Sequence, residues 1–525
     1  MTSVFTDAAP RSTPRLNLAS GSEAAFSLGS SWSLPSLSLP TWVHRPISAA
    51  RATLVKSLVM TVAIAAILAG VVTVTQTSTA GASAISAADF APAASSVPTM
   101  TAAAFTTAYA GDLAAAATTL TTMSSSQVAQ LWTELAPGYR ALLITGYPAV
   151  IGNLEGVAYT DRATANVSRL AGLLADTEAS YRSLTVSSDQ VDGQADSAAL
   201  ATTLSRLDAI KLLADRYAPD AIAARLQPEY LITLQAGGSG PPRVAVAVGD
   251  VDTAAYVTVL VPGMNSSALE LDDYLRGAKR IQTAAADSAV ILWIGGHSPS
   301  ALEVPSNDRA IEGAPLLAGV LAGYDAVRSA HGVVSRLSVV AHSYGTATAS
   351  LALASGDYHV DDFVMLGSAG IPTEIGIDDL HVPAGRVYAS QASADTLAGL
   401  GQLLSGRADP ATSSWGATTF GSDGLTLGDG DHLGAVDGHN AVGSSNADDR
   451  GKYLGPATES LYAIQRIVTG QAYAVADLTT PGSSHQRTSV PDAAGAGAGA
   501  STTSASTTAS ASTASASAAA LLATR

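Results

Sequence analysis

The stretch Leu337-Ser338-Val339-Val340-Ala341-His342-Ser343-Tyr344-Gly345 decides the fold. A short β-branched apolar run passes into a small residue, a serine flanked by single residues and a glycine, and then into the helix-forming Thr346-Ala347-Thr348-Ala349-Ser350-Leu351-Ala352-Leu353. That order is the signature of a nucleophile elbow: a buried strand ends, the chain reverses on a strained residue, and a helix begins. Small residues are needed two positions either side of the serine because side chains there collide across the turn. The first of them here is Ala341, one methyl larger than the usual glycine. Read locally, the same stretch is also an ordinary core strand with Ser343 as a helix N-cap. The rest of the chain chooses between the two.

Of the 525 residues, much is not folding material, because an Ala, Ser and Thr excess is concentrated at the two ends. The balance is acidic, with a formal net charge of -16, and no Lys/Arg cluster lies on a segment that reads as folded, which argues against nucleic acid as a partner. There is no cysteine, so disulfides, thiolate metal sites and cysteine nucleophiles are excluded.

From Ser57 to Thr75 the chain carries no charge, a run long enough to cross the roughly 30 Å hydrocarbon layer as a helix. Arg45, Arg51 and Lys56 precede it and no charge follows before Asp89, so the positive-inside rule puts residues 1–56 in the cytoplasm and everything after the helix outside. The expected localisation is the cell membrane, single-pass, with the folded region extracytoplasmic. A small-x-small site at Ala82-Ser83-Ala84 keeps open secretion after signal cleavage. Residues 1–56 lack either regular period and read as a disordered tail, 76–100 as a small-residue linker, and 479–525 as a low-complexity Ala/Ser/Thr tail.

Two regions between these ends carry hydrophobic periodicity. Residues 101–228 show helical spacing, as in Val128, Leu131, Trp132 and Leu135 and again in Leu204, Leu207, Ile210 and Leu213, and predict a helical region packed on the strands after it. Residues 229–478 switch period. Leu231 to Gln235, Val244 to Val248 and Tyr256 to Val261 predict three strands divided by turn-rich segments; the glycines of the first turn precede a strand and make no phosphate loop. Strands at Ala289 to Ile294, in the elbow, at Asp362 to Leu366, at Arg386 to Ser390 and at Ala417 to Phe420 then alternate with helical stretches. A meander feeding a βαβ series predicts an α/β architecture, a mostly parallel central sheet with helices on both faces, preceded by the helical N-terminal region and the transmembrane helix. The elbow strand comes fifth, its usual place in the α/β-hydrolase fold.

Serine is a poor nucleophile at neutral pH and needs a base, and a carboxylate behind a histidine fixes its tautomer. In this fold the order is Ser, acid, His. His439, in a Gly-rich loop before the amphipathic helix Ala457 to Val468, is the expected base, with His432 in reserve; His342 adjoins the nucleophile and is turned from it. Asp395, directly after the strand from Arg386, is the expected acid, although the same residue reads as an N-cap for a helix from Thr396. Asp409 is the second choice, and its position before Pro410 suits a turn. An oxyanion needs donors already in place, expected from the Tyr344 and Met264 backbone N–H groups, with Gly263 letting the chain pass close. This chemistry calls for no cofactor and no metal.

With these residues assembled, the chain resembles the actinobacterial α/β-hydrolase family formerly catalogued as a domain of unknown function. The similarity is carried by Trp132-Thr133-Glu134-Leu135, Ile151-Gly152-Asn153-Leu154-Glu155-Gly156-Val157 and Arg162-Ala163-Thr164-Ala165-Asn166 in the helical region, and by Val246 to Thr253, Val261 to Met264, the Ala341-His342-Ser343-Tyr344-Gly345 elbow, Leu366 to Gly370 and Asp437-Gly438-His439. The resemblance implies a serine hydrolase with Ser343 as nucleophile and His439 as base. Besides Ala341, the segment Ile294-Gly295-Gly296-His297-Ser298-Pro299 departs from a family segment that often carries an acidic residue. The block around Asn153 and Glu155 reads either as a cap over the pocket or as a buried polar knot, and Asn and Glu beside Gly favour the knot. Two functions are expected from this reading: a membrane-anchored esterase or lipase acting on small-molecule or lipid esters through an acyl-enzyme, and a catalytically silent binding module displayed on the cell envelope.

Overall fold

The β-branched runs form strands because both of their faces are covered. The computed structural model describes residues 99–188, 194–238, 240–356 and 358–471. The expected tail 1–56, the membrane helix 57–75, the linker as far as residue 98 and the tail 479–525 lie outside the described residues.

The strands are β1 (Glu229–Gln235), β2 (Arg243–Val248), β3 (Tyr256–Val261), β4 (Ser288–Ile294), β5 (Arg336–His342), β6 (Asp362–Leu366), β7 (Val387–Ser390) and β8 (Thr418–Thr419), in the spatial order β1-β2-β4-β3-β5-β6-β7-β8. β2 runs antiparallel to β1 and β4, and every other neighbouring pair is parallel. Successive strand residues point to opposite faces. Val257, Val259 and Val261 therefore pack with the helices Asp308–His331 and Gly345–Ser355. Leu260 faces the other layer, with Leu271, Leu275 and Ile281 of the helix Leu271–Gln282 and Ile464 and Ile467 of Glu459–Val468. Among the described residues one helix, Asp308–His331, is long and apolar enough to cross a membrane. It is a core helix, with Ala310, Ala314, Leu317 and Leu321 buried against the sheet.

After β3 the chain steps to one side to make β4, then crosses to the other side of β3 to make β5. At such a switch point the connections diverge and leave a crevice outside the carboxyl ends of the strands. The crevice here opens between the ends of β3 and β5, beside Gly263 and Ser343.

Helices from Ala102–Ala108 to Pro219–Ala223 fill the region before β1, as the 3.6-residue spacing predicts. The block around Asn153 is a polar knot on the free edge of β1. Asn153 accepts from the Leu234 N–H at 2.8 Å and donates to the Leu234 carbonyl at 3.1 Å, while Asn166 donates to the Leu231 carbonyl at 3.0 Å. Arg162, 1% exposed, forks onto Glu155 at 2.6 and 2.9 Å and reaches Thr233 of β1 at 3.1 Å. Asp252, in the turn after β2, accepts from the Tyr159 and Thr160 N–H groups at the start of the helix Tyr159–Ser188. The helical region is therefore bolted to the sheet through polar contacts at both ends of this block.

Two elements were not anticipated. The helix Leu271–Gln282 has a stripe of Leu271, Leu275, Ala278 and Ile281. A two-residue hairpin, β9 (Leu425–Thr426) with β10 (His432–Leu433), precedes the His439 loop. Removing one partner of a buried ion pair leaves the other charge without compensation. Glu155→Ala is accordingly expected to lower stability by about 3 kcal/mol in urea unfolding, with Glu155→Gln milder.

Candidate active site

Ser343 sits at the end of β5 with φ 54, in the left-handed region that costs a non-glycine residue of the order of 1–3 kcal/mol. The neighbours hold it there. Its N–H donates to the Leu366 carbonyl of β6 at 3.0 Å, and its carbonyl accepts from the Thr346 N–H at 3.1 Å and the Thr346 hydroxyl at 2.7 Å. Gly345 cannot be larger, since a Cβ there would lie 2.5 Å from the Pro262 carbonyl oxygen. Ala341, by contrast, is tolerated: its methyl is fully buried in the core, where it pairs in register with Val261 and Met365.

The structure brings Ser343, His439 and Asp395 together. His439 Nε2 lies 2.7 Å from Ser343 Oγ, and His439 Nδ1 lies 2.9 and 3.0 Å from the two Asp395 oxygens. Ser343 is 4% exposed and the Asp395 side chain is fully buried. Burial pushes the Asp395 carboxyl up, but the hydrogen bond and charge of His439, the Ala398 N–H and the Tyr453 hydroxyl together hold it below its ordinary value. Both readings of Asp395 hold at once. Its Oδ1 caps the helix Thr396–Ser405 through the Ala398 N–H at 3.0 Å while it faces the imidazole.

The alternatives lie elsewhere. Asp409 accepts from the Ala411 N–H at 2.8 Å in a local turn, and His432 is exposed on β10 with Thr426.

Several supporting residues are not visible in the sequence. Tyr453 donates its hydroxyl to Asp395 Oδ2 at 2.9 Å and accepts from the Ala392 N–H at 2.9 Å, tying Asp395 to the loop after β7. Asp449 receives Arg276 at 2.9 Å and Arg280 at 2.6 Å from the helix Leu271–Gln282, and the Gly443 N–H at 2.7 Å, which clamps the loop that carries His439. His342 contributes through its contact with His439. Its Nε2 lies 2.6 Å from the His439 carbonyl, an acceptor only, so Nε2 carries the proton and Nδ1 is a bare buried acceptor with no partner among the described residues.

On the β3 side, Gly263 lies so close that a Cβ would be 3.1 Å from Ser343 Oγ. Its carbonyl accepts from the Ser266 hydroxyl at 2.8 Å and the Ser298 hydroxyl at 3.2 Å, and Ser298 Oγ accepts from the Ser266 N–H at 3.0 Å. This turns the loop's carbonyl aside. Neither the Met264 nor the Tyr344 N–H is taken up by a hydrogen bond among the described residues, the condition that an oxyanion donor must meet.

A family model described as alpha/beta hydrolase matches residues 238–405. An uncharacterised protein of Mycobacterium bovis is 31% identical over 195 residues, which span 33% of this chain and 71% of that protein. The chain belongs to the α/β-hydrolase family. An uncharacterised protein of Mycobacterium tuberculosis is 32% identical over 383 residues, 67% of this chain and 56% of that protein, so this α/β-hydrolase spans little more than half the length of that relative. It is also similar to the solved esterase LipW from Mycobacterium marinum, at 15% identity over 56% of this chain and 97% of that one, and to a dienelactone hydrolase from Anabaena variabilis, at 12% over 48% and 99%. Both have a TM-score of 0.28, too slight a likeness to carry an argument.

Burial, and then the neighbouring His439, lowers the His342 pKa to about 3. The folded protein then keeps this ring neutral where the unfolded chain protonates it near pH 6.5, so stability falls as pH drops below about 6.5 toward 3. Between pH 7 and pH 5 this group alone is expected to remove about 2 kcal/mol. Urea unfolding at the two pH values checks it, since His342→Gln should lose that much less than the wild type.

Proposed function

We propose that this chain is a serine hydrolase of the esterase type that works through an acyl-enzyme, anchored by the helix 57–75 with its catalytic region outside the cell. The observation that carries the chemistry is the unbroken run of contacts from Ser343 Oγ through the His439 imidazole to the Asp395 carboxylate. His439 Nε2 takes the Ser343 proton as Oγ attacks the ester carbonyl carbon, and Asp395 stabilises the imidazolium that forms. The carbonyl oxygen, now an anion, is received by the Met264 and Tyr344 N–H groups. Collapse of the tetrahedral intermediate breaks the bond to the alcohol, which leaves with the proton from His439. A water molecule then repeats the cycle in reverse roles, giving the carboxylic acid and free serine.

Support for the anchor comes from the uncharged run Ser57 to Thr75 behind Arg45, Arg51 and Lys56. Whole-cell protease treatment tests it, since residues beyond 76 should be cleaved while residues before 57 are protected.

For the chemistry, intact-mass analysis after exposure to a fluorophosphonate should show a single adduct on the wild type and none on Ser343→Ala. The same variant should lose ester hydrolysis by roughly three orders of magnitude or more while unfolding as the wild type does. A folded wild type that takes no adduct would leave display and binding as its role.

A further inference from the structure

A small cavity lies in the crevice, and its walls bear on which esters fit. It has a volume of about 30 Å³ and lies at the carboxyl ends of β3, β4 and β5. Gly263, packed against Ser343, and Tyr344, which follows it, line one part; Trp293, Ile294, His297, Arg309 and Thr348 line much of the rest. A single water needs roughly 10–15 Å³ of such space, so the cavity itself holds two or three small groups.

Its side of the reaction is set by proton transfer. The leaving oxygen must sit against His439, which returns the proton to it. The cavity borders the oxyanion loop, and none of its lining residues belongs to the His439 loop or to the turn of Asp395. It is therefore on the acyl side.

Trp293 limits its depth. This indole is 4% exposed and lies between the chain at Gly295–Gly296 and the helix Asp308–His331 at Gly313. A Cβ on Gly296 or Gly313 would lie 3.5 and 3.9 Å from the far edge of the ring, and one on Gly295 would collide with its Nε1 end. Behind it Thr348 closes on Gly313, where a Cβ would lie 3.0 Å from Thr348 Cγ2. The three glycines leave room for the indole beside the cavity. Ser266 and Ser298 give their hydroxyl hydrogens to the Gly263 carbonyl, and His297 and Arg309, which also line the cavity, are held by Glu312 and Glu303.

We propose, building on the serine-hydrolase reading above, that Trp293 closes the acyl side of the site, so that the enzyme takes esters of short acyl groups, acetyl to butanoyl, and rejects long-chain lipid esters. The test is kcat/KM of the full chain on 4-nitrophenyl acetate, butanoate and octanoate, for the wild type, Trp293→Ala and Trp293→Leu, each also exposed to a fluorophosphonate. The wild type should favour acetate over octanoate by about 100-fold. Either variant should raise octanoate relative to acetate by about tenfold or more and still take the adduct. A wild type that labels but hydrolyses octanoate as well as acetate overturns the pocket alone, as do labelled variants with an unchanged preference. Where neither variant folds, the wild-type profile decides by itself. No adduct on the folded wild type overturns the serine chemistry and the pocket with it.

Discussion

Everything at the site depends on holding one serine in a conformation that serine avoids. At φ 54, Ser343 keeps its place only because β3, β5 and β6 over-determine it: Leu366 takes its N–H, Thr346 takes its carbonyl, and Pro262 leaves no space at Gly345 for anything but hydrogen. A strained turn of this kind needs a stiff surround. The sheet supplies it, with strands buried on both faces and two helices packed directly beneath the turn.

His439 and Asp395 are held differently. His439 sits in a long loop with little regular structure, and its place is fixed from outside by a buried carboxylate, Asp449, gripped by two arginines one helical turn apart, and by His342 on its carbonyl. Asp395 is fixed from within, as the cap of its own helix and the acceptor of Tyr453. The same carboxylate thus meets a folding requirement and orients the imidazole.

The range of each interaction governs how much of it is legible in the sequence. The strands are legible because β-branched runs such as Val257 to Val261 and Val339 to Val340 have few other uses, and chain order then points to Ser343, Asp395 and His439 as candidates. The helix Leu271–Gln282 is harder to read although its stripe is regular, because Asp272, Asp273, Arg276, Lys279 and Arg280 make the segment look like a polar loop. Tyr453, Asp449 and His342 have no local signal at all. Their partners lie 58, 173 and 97 residues away, and only the folded topology brings them within reach. Ser298 stands in a segment notable in sequence for the acidic residue it lacks, and its bond to Gly263 appears only when the ends of β3 and β4 meet.

The two outer strands of the sheet end it in different ways. β8 is only two residues long, and on β1 the Leu234 N–H and carbonyl and the Leu231 carbonyl are already taken by Asn153, Arg169 and Asn166. An unsatisfied edge is a template for another chain, and short or covered edges remove it. Among the described residues, the eight-stranded sheet therefore leaves a crowding neighbour little edge backbone to zip onto.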